Sequence, residues 1–161
     1  MFGTSSDDTL VGDARNNVLN GADGDDDLIG SGGNDVLVGG SGIDILTGTD
    51  NRFRGNREID RLIGGLSADG FVLGDRFGSY YGNGGFSDFA EITDFSFNDL
   101  IQLGVGEVYR AVRDAAGFNL FVARSGRFDL VADVRTTSIV PLPTGNFSLV
   151  SGQQIGSFVG A

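Results

Sequence analysis

The 161-residue chain has no cysteine, no histidine and no lysine, so all 11 of its bases are arginine. Without cysteine there are no disulfides and no thiol chemistry. Without histidine as well, zinc sites built on those ligands and the common nucleophile–histidine triads are excluded. No apolar run approaches the ~20 residues that span a bilayer. The opening "MFGTSSDD" has neither a basic start nor an apolar stretch, and it is not expected to act as a cleavable signal peptide. Bases are also scarce in total: the formal net charge is −11, which argues against nucleic acid, whose binding depends on neutralising phosphates. What remains is 40% hydrophobic and 20% charged, enough apolar matter for a packed core and too little charge for a disordered polyelectrolyte.

The acids are unevenly spread. Residues 1–75 carry 14 acids and 5 arginines, residues 76–161 carry 8 and 6, and no base lies between residues 16 and 51. Asp23, Asp25, Asp26 and Asp27 crowd one glycine-rich run that can bury nothing by itself. A period resolves the run. Cut before glycine, the sequence reads GTSSDDTLV (3–11), GDARNNVLN (12–20), GADGDDDLI (21–29), GSGGNDVLV (30–38) and GGSGIDILT (39–47). GTDNRFR (48–54) breaks the phase, and GNREIDRLI (55–63) and GGLSADGFV (64–72) resume it. The sixth place holds Asp8, Asn17, Asp26, Asp35, Asp44, Asp60 and Asp69; the eighth holds Leu10, Leu19, Leu28, Leu37, Leu46, Leu62 and Phe71.

Each unit reads as a tight loop followed by a minimal strand. Glycine at the first, second and fourth places would permit positive φ, and the last three places read x-apolar-x with frequent β-branched neighbours. One such strand buries almost nothing, but stacked turns would line the leucines into an internal ladder, as in solenoid repeats. The loops would stack with them, and a column of carboxylates needs a cation. Oxygen-only ligands in a loose shell favour calcium over magnesium. Asp23, Asp25 and Asp27 imitate the start of an EF-hand loop, but Leu28 and Asn34 stand where its turn glycine and final glutamate belong.

These units resemble the RTX (hemolysin-type) calcium-binding nonapeptide family, whose consensus is G-G-x-G-x-D-x-U-x with U apolar. GGSGIDILT fits it in full. The resemblance implies a right-handed parallel β-roll with two nonapeptides per turn and calcium between loops two repeats apart. One edge would stack the loops ending at Asp8, Asp26, Asp44 and Asp69, the other those ending at Asn17, Asp35 and Asp60. Carbonyls of Ala22, Gly24, Ser31, Gly33, Gly40 and Gly42 would be further ligands, for about three to five ions of modest affinity. Asn17 lacks the charge, Thr4 and Ser6 replace glycine in the first unit, and Arg52, Arg54 and Arg57 flank the insertion as a surface bulge.

Most of the 13 phenylalanines fall at or after Phe71, so residues 76–161 are expected to form a second unit that closes the roll of residues 1–75. The fold class is thus all-β, a parallel β-roll capped by a C-terminal antiparallel sheet. "EVYRAVRD", "FNLFVA" and "FDLVADV", joined by short turns, read as a meander. "FVLGD", Tyr80–Tyr81 and "ITDFSFNDLIQL" resemble the segment after the repeats in secreted bacterial RTX proteins, including cyanobacterial ones. There the D-F-x-x-x-D-x-I-x-L pattern forms a capping strand pair. Asp94 and Asp99 would either add a calcium site or hold turns, and Asp75 and Asp88 are similar cases.

An enzyme is not expected: the pairing of Glu91 with Asp88 or Asp94 is the one carboxylate arrangement of note, and no substrate groove is evident. The leading reading is a non-catalytic calcium-binding module of a secreted bacterial protein. The alternative is a C-terminal auxiliary module of a secreted enzyme or adhesin, with a glycan or protein partner on the C-terminal half. Tyr80, Tyr81, Phe86 and Phe118 exposed together would favour the alternative. Arg110, Arg113, Arg124 and Arg127 are read as decorating one face of the meander, and Asn146-Phe-Ser148 as an accidental glycosylation pattern. Export through a type I system, reading the uncharged tail "FSLVSGQQIGSFVGA", is implied by the resemblance alone.

Overall fold

The computed structural model describes residues 1–50, 52, 57–82, 85–136 and 147–150, the last four and Gly85 without their side chains. Arg54, Asn146 and the tail beyond residue 150 lie outside the described residues.

Each x-apolar-x stretch forms a strand: β1 (Thr9–Val11), β2 (Val18–Asp23), β3 (Asp27–Ser31), β4 (Val36–Ser41), β5 (Ile45–Thr49), β6 (Ile59–Leu66) and β7 (Gly70–Val72). Alternate strands go to alternate sheets. β1, β3, β5 and β7 pair in parallel in one sheet, and β2, β4 and β6 in the other. The register stacks like on like. Leu10, Leu28, Leu46 and Phe71 stand in one row, and Leu19, Leu37 and Leu62 in the second. Both rows enter one core, with every side chain beyond the first turn essentially inaccessible. Each leucine contributes about 1.5–3 kcal/mol of burial, which is why strands of three residues persist here and nowhere alone.

The stack does not end at residue 72. β10 (Phe89–Phe95) pairs in parallel with β6, and β11 (Leu100–Gln102) pairs in parallel with β7. The register puts Ala90 beside Asp60, Ile92 beside Leu62, and Ile101 beside Phe71. Residues 85–93 (GFSDFAEIT) and 94–102 (DFSFNDLIQ) are therefore two further nonapeptides, with Ala90 and Asp99 at their sixth places. Between them and the earlier turns, residues 73–84 form an insertion carrying the small hairpin β8 (Gly74–Asp75) and β9 (Gly78–Ser79).

The meander has the expected strands, β12 (Val108–Arg113), β13 (Gly117–Arg124) and β14 (Arg127–Thr136). Ser125 and Gly126 both adopt positive φ between the last two, as a two-residue primed hairpin turn requires. β14 runs parallel to β10 and bonds to it directly, with Val134 beside Ile92. β15 (Phe147–Val150) adds to the far side of β12. One eight-stranded sheet, β15-β12-β13-β14-β10-β6-β4-β2, thus runs from meander into roll. The boundary expected between residues 75 and 76 does not interrupt this sheet or the core, which passes from Leu10 to Val134. Phe71, Phe95 and Phe118 continue the ladder, with ring centroids 6.1 and 6.0 Å apart.

Because Ile92 occupies the same row as the leucines, Ile92→Ala should cost as much as Leu37→Ala, each about 2–5 kcal/mol. Urea unfolding in excess calcium checks this. A cost for Ile92→Ala below about 1 kcal/mol would contradict the added turn.

Candidate metal centre

The loop geometry begins with glycine. A Cβ built on Gly3, Gly12, Gly21, Gly30, Gly39, Gly48 or Gly64 would collide with the sixth-place side chain of the same loop: Asp8, Asn17, Asp26, Asp35, Asp44, Asp60 and Asp69 in turn. First-place glycine is thus demanded by the closeness of the carboxylate. Positive φ occurs instead at second places (Ala22, Ser31, Gly40, Gly65) and fourth places (Gly24, Gly33, Gly42, Ser67). Gly48 stands at the first place beside Asp60, and Gly55, where the repeat was expected to resume, lies outside the described residues.

The sixth-place residues form the two expected columns. Backbone N–H groups of Asp8, Asp26 and Asp44 donate to Oδ1 of Asp26, Asp44 and Asp69 at 2.8, 2.9 and 3.0 Å. On the other edge Asn17 donates to Asp35 Oδ1 at 2.7 Å and Asp35 to Asp60 Oδ1 at 2.8 Å. The spacing between partners is 18 residues, then 25 where the first insertion intervenes, and Asp69 reaches Asp99 Oδ1 across 30. A second ladder, not foreseen from the sequence, runs the opposite way through the fifth places. Asp7 Oδ1 accepts from Asp25 N–H and Asp25 Oδ1 from Ile43 N–H; Asn16 and Asn34 repeat the pattern on the other edge.

The second carboxylate oxygen separates the loops into two kinds. In the first, a protein donor takes it. Thr4 gives Asp8 Oδ2 both its N–H, at 2.6 Å, and its hydroxyl, at 2.9 Å; Asp13 N–H donates to Asn17 Oδ1 at 2.7 Å; and the Tyr81 hydroxyl donates to Asp60 Oδ2 at 2.6 Å. In the second kind, Oδ2 of Asp26, Asp35 and Asp44 is buried with no hydrogen-bond partner. The difference follows the second place. Thr4, Asp13 and Thr49 lack positive φ, whereas Ala22, Ser31 and Gly40 have it, and their N–H groups do not reach the oxygen.

A buried carboxylate oxygen without a donor carries the full cost of its desolvation, so it calls for a cation or a proton. Among the described residues no three carboxylate side chains converge on one point. A cation would therefore draw most of its oxygens from backbone carbonyls. The loops offer them: Ala22 O lies against Gly40 and Gly24 O against Gly42 of the next turn. That donor set, one carboxylate with several carbonyls, suits a hard cation such as calcium. Burial pushes the Asp35 and Asp69 carboxyls up to about 7 and Asp60 to about 6, and it raises Asp44.

The other candidates are engaged in hydrogen bonds. Asp94 Oδ1 and Oδ2 accept from Gly64 and Gly65 N–H at 3.1 and 2.9 Å, and Asp99 Oδ2 accepts from Ser96 N–H at 2.7 Å. Asp75 holds the β8–β9 turn through Phe77 N–H, and Asp88 is fully buried. Glu91 faces Arg61 at 3.9 Å in an exposed pair. Tyr80, Tyr81 and Phe118 are buried and Phe86 is exposed, so these four do not form the joint aromatic surface that would favour an auxiliary module.

The calcium-binding nonapeptide repeat model of the RTX proteins (four copies) matches residues 2–37, 29–51 and 47–75. Residues 2–75 are thus similar to RTX calcium-binding repeats. The match stops before the added turn of residues 85–102, which deviates from the RTX pattern at its sixth place, Ala90, and its first, Asp94. Among solved structures, the chain is similar to the solution structure of the AlgE6R3 subunit from the Azotobacter vinelandii mannuronan C5-epimerase. Identity is 26% over 83% of this chain and 72% of that one, with a TM-score of 0.26. No curated protein matches the chain significantly.

Two outcomes follow for the RTX loops. Asp44→Ala removes an oxygen that has no donor of its own, whereas Asn17→Ala removes one already served by Asp13. Asp44→Ala should raise the calcium midpoint of folding severalfold more than Asn17→Ala, read by circular dichroism; equal shifts would contradict the division of loops. The second outcome concerns pH. Carboxyls raised in the folded, metal-free roll stabilise it when protonated, below about pH 4, and that stability is lost as pH rises through 6 to 7. Protons and calcium therefore compete, and the calcium midpoint should rise when pH is lowered from 8 to 5.5. A midpoint independent of pH would contradict the burial of these groups.

Proposed function

We propose that the chain is a non-catalytic calcium-binding module of a secreted bacterial protein, one that folds when it meets calcium outside the cell. The supporting observation is the trio of buried, donorless oxygens on Asp26, Asp35 and Asp44, set in a stretch where no base lies between residues 16 and 51. Leucine burial supplies about 1.5–3 kcal/mol per side chain, against chain entropy of about 1–2 kcal/mol for every ordered residue. Loops that add like charges and unsatisfied oxygens to that balance keep the metal-free repeats unfolded. Calcium binding then becomes folding free energy directly. In a calcium-poor cytoplasm the chain stays pliable for export, in this reading through a type I system.

Joint exposure of four aromatic residues would favour the auxiliary-module reading, and three of them are buried, so the calcium-folded module is preferred. The absence of cysteine and histidine and the hydrogen bonding of Asp94 support a module without catalysis.

Calorimetric titration should show three ions, one for each donorless sixth-place carboxylate, with affinities of about 10⁻⁴–10⁻³ M. Hydrogen exchange should show the amides of β1–β5 protected in calcium and exposed in chelator. Equal protection in both, or no heat of binding at millimolar calcium, would overturn the proposal.

A further inference from the structure

The sixth-place residue Asp60 is the last carboxylate of its column, and its loop differs from the three donorless ones at the second place and at Oδ2. Its second place is Thr49, a β-branched residue without the positive φ of Ala22, Ser31 and Gly40. Its Oδ2 is not open but bonded at 2.6 Å to the Tyr81 hydroxyl, and Tyr81 is wholly buried. The same hydroxyl receives the backbone N–H of Thr49. A Cβ on Gly48 would meet that hydroxyl and Asp60 together, so the phenol oxygen sits in the pocket that first-place glycine opens in every loop. Tyr81 arrives from the insertion of residues 73–84, where the β8–β9 hairpin turns the chain back and Tyr80 N–H bonds Leu73 O at 2.9 Å. The next turn of this column offers Ala90, which has no side-chain oxygen to share.

We infer that the Tyr81 hydroxyl stands in for a cation at Asp60. It closes this edge of the roll to metal, so that the Asn17–Asp35–Asp60 column binds calcium at Asp35 alone. A phenol is suited to this place. It donates one strong hydrogen bond to the carboxylate and accepts one from the loop amide, meeting both needs without bringing charge into the core. On the opposite edge the Asp94 carboxylate accepts from the Gly64 and Gly65 amides, and the buried donorless sixth-place oxygens are those of Asp26 and Asp44.

This inference rests on the calcium reading for its ion count but not for its hydrogen bond, and the experiment separates the two. The full chain is titrated with calcium by calorimetry as wild type, Asp35→Asn and Asp60→Asn; asparagine already serves as a sixth-place residue at Asn17. Asp35→Asn should lower the number of bound ions by one, and Asp60→Asn should leave it unchanged. Loss of an ion in Asp60→Asn overturns the inference. Tyr81→Phe keeps the ring but strands Asp60 Oδ2. Its unfolding temperature should fall by about 4 °C or more with no change in ion count. If the wild type binds no ion at all, the calcium reading has failed. Tyr81→Phe then decides alone, in whichever buffer the wild type is folded, and an unchanged unfolding temperature overturns the assignment.

Discussion

A carboxylate held against the backbone of its own loop is the constraint on which the rest of this structure depends. Because the sixth-place side chain fills the space beside the first residue, glycine is needed there in the seven loops from Gly3 to Gly64, and because its Oδ1 reaches the amide of the preceding turn, successive turns are tied at fixed height. Each turn thus gains a charge-assisted hydrogen bond, stronger than a neutral one. The cost is the other oxygen, buried with it. Every loop must find a partner for that atom, and the partners differ along the stack.

Their distribution is ordered. At the N-terminal end the loop itself supplies the donor, through Thr4 and Asp13. At the C-terminal end donors and acceptors come from later chain: Tyr81 for Asp60, Asp94 for the Gly64 and Gly65 amides, and Asp99 for the Asp69 amide. Among the described sixth-place residues, the oxygens buried without a donor are those of Asp26, Asp35 and Asp44, in the middle turns. Protein donors answer Asp8, Asn17 and Asp60, while Asp26, Asp35 and Asp44 demand a cation in the part of the chain with the most acid and no base.

The hydrophobic side of the fold tolerates what the loops do. Partners one turn apart are separated by 18, 25 or 30 residues, yet the leucine rows stay in register because the insertions leave from loops, where chain length costs little. The C-terminal meander exploits the same rows. β14 simply adds Val134 beside Ile92, and the antiparallel strands continue the sheet outward.

Much of this was legible in residues alone. A nine-residue period with leucine at one place and aspartate at another points to stacked turns, an internal leucine ladder and columned carboxylates, while two repeats per turn, and with it the two sheets, the 18-residue pairing and the two edges, came from the resemblance to RTX repeats. The turn of residues 85–102 was hidden because a 12-residue insertion breaks the phase and Ala90 and Asp94 stand where aspartate and glycine mark the other units. Which aspartates lack a donor was beyond the sequence as well. That choice turns on φ at the second place, where Ala22 and Ser31 take a conformation that their identity does not demand. It turns also on a phenol 21 residues away from the carboxylate it meets. Periodicity places the charges; only the folded chain decides which of them are already answered, because hydrogen bonds are won by whatever donor the tertiary packing brings within reach.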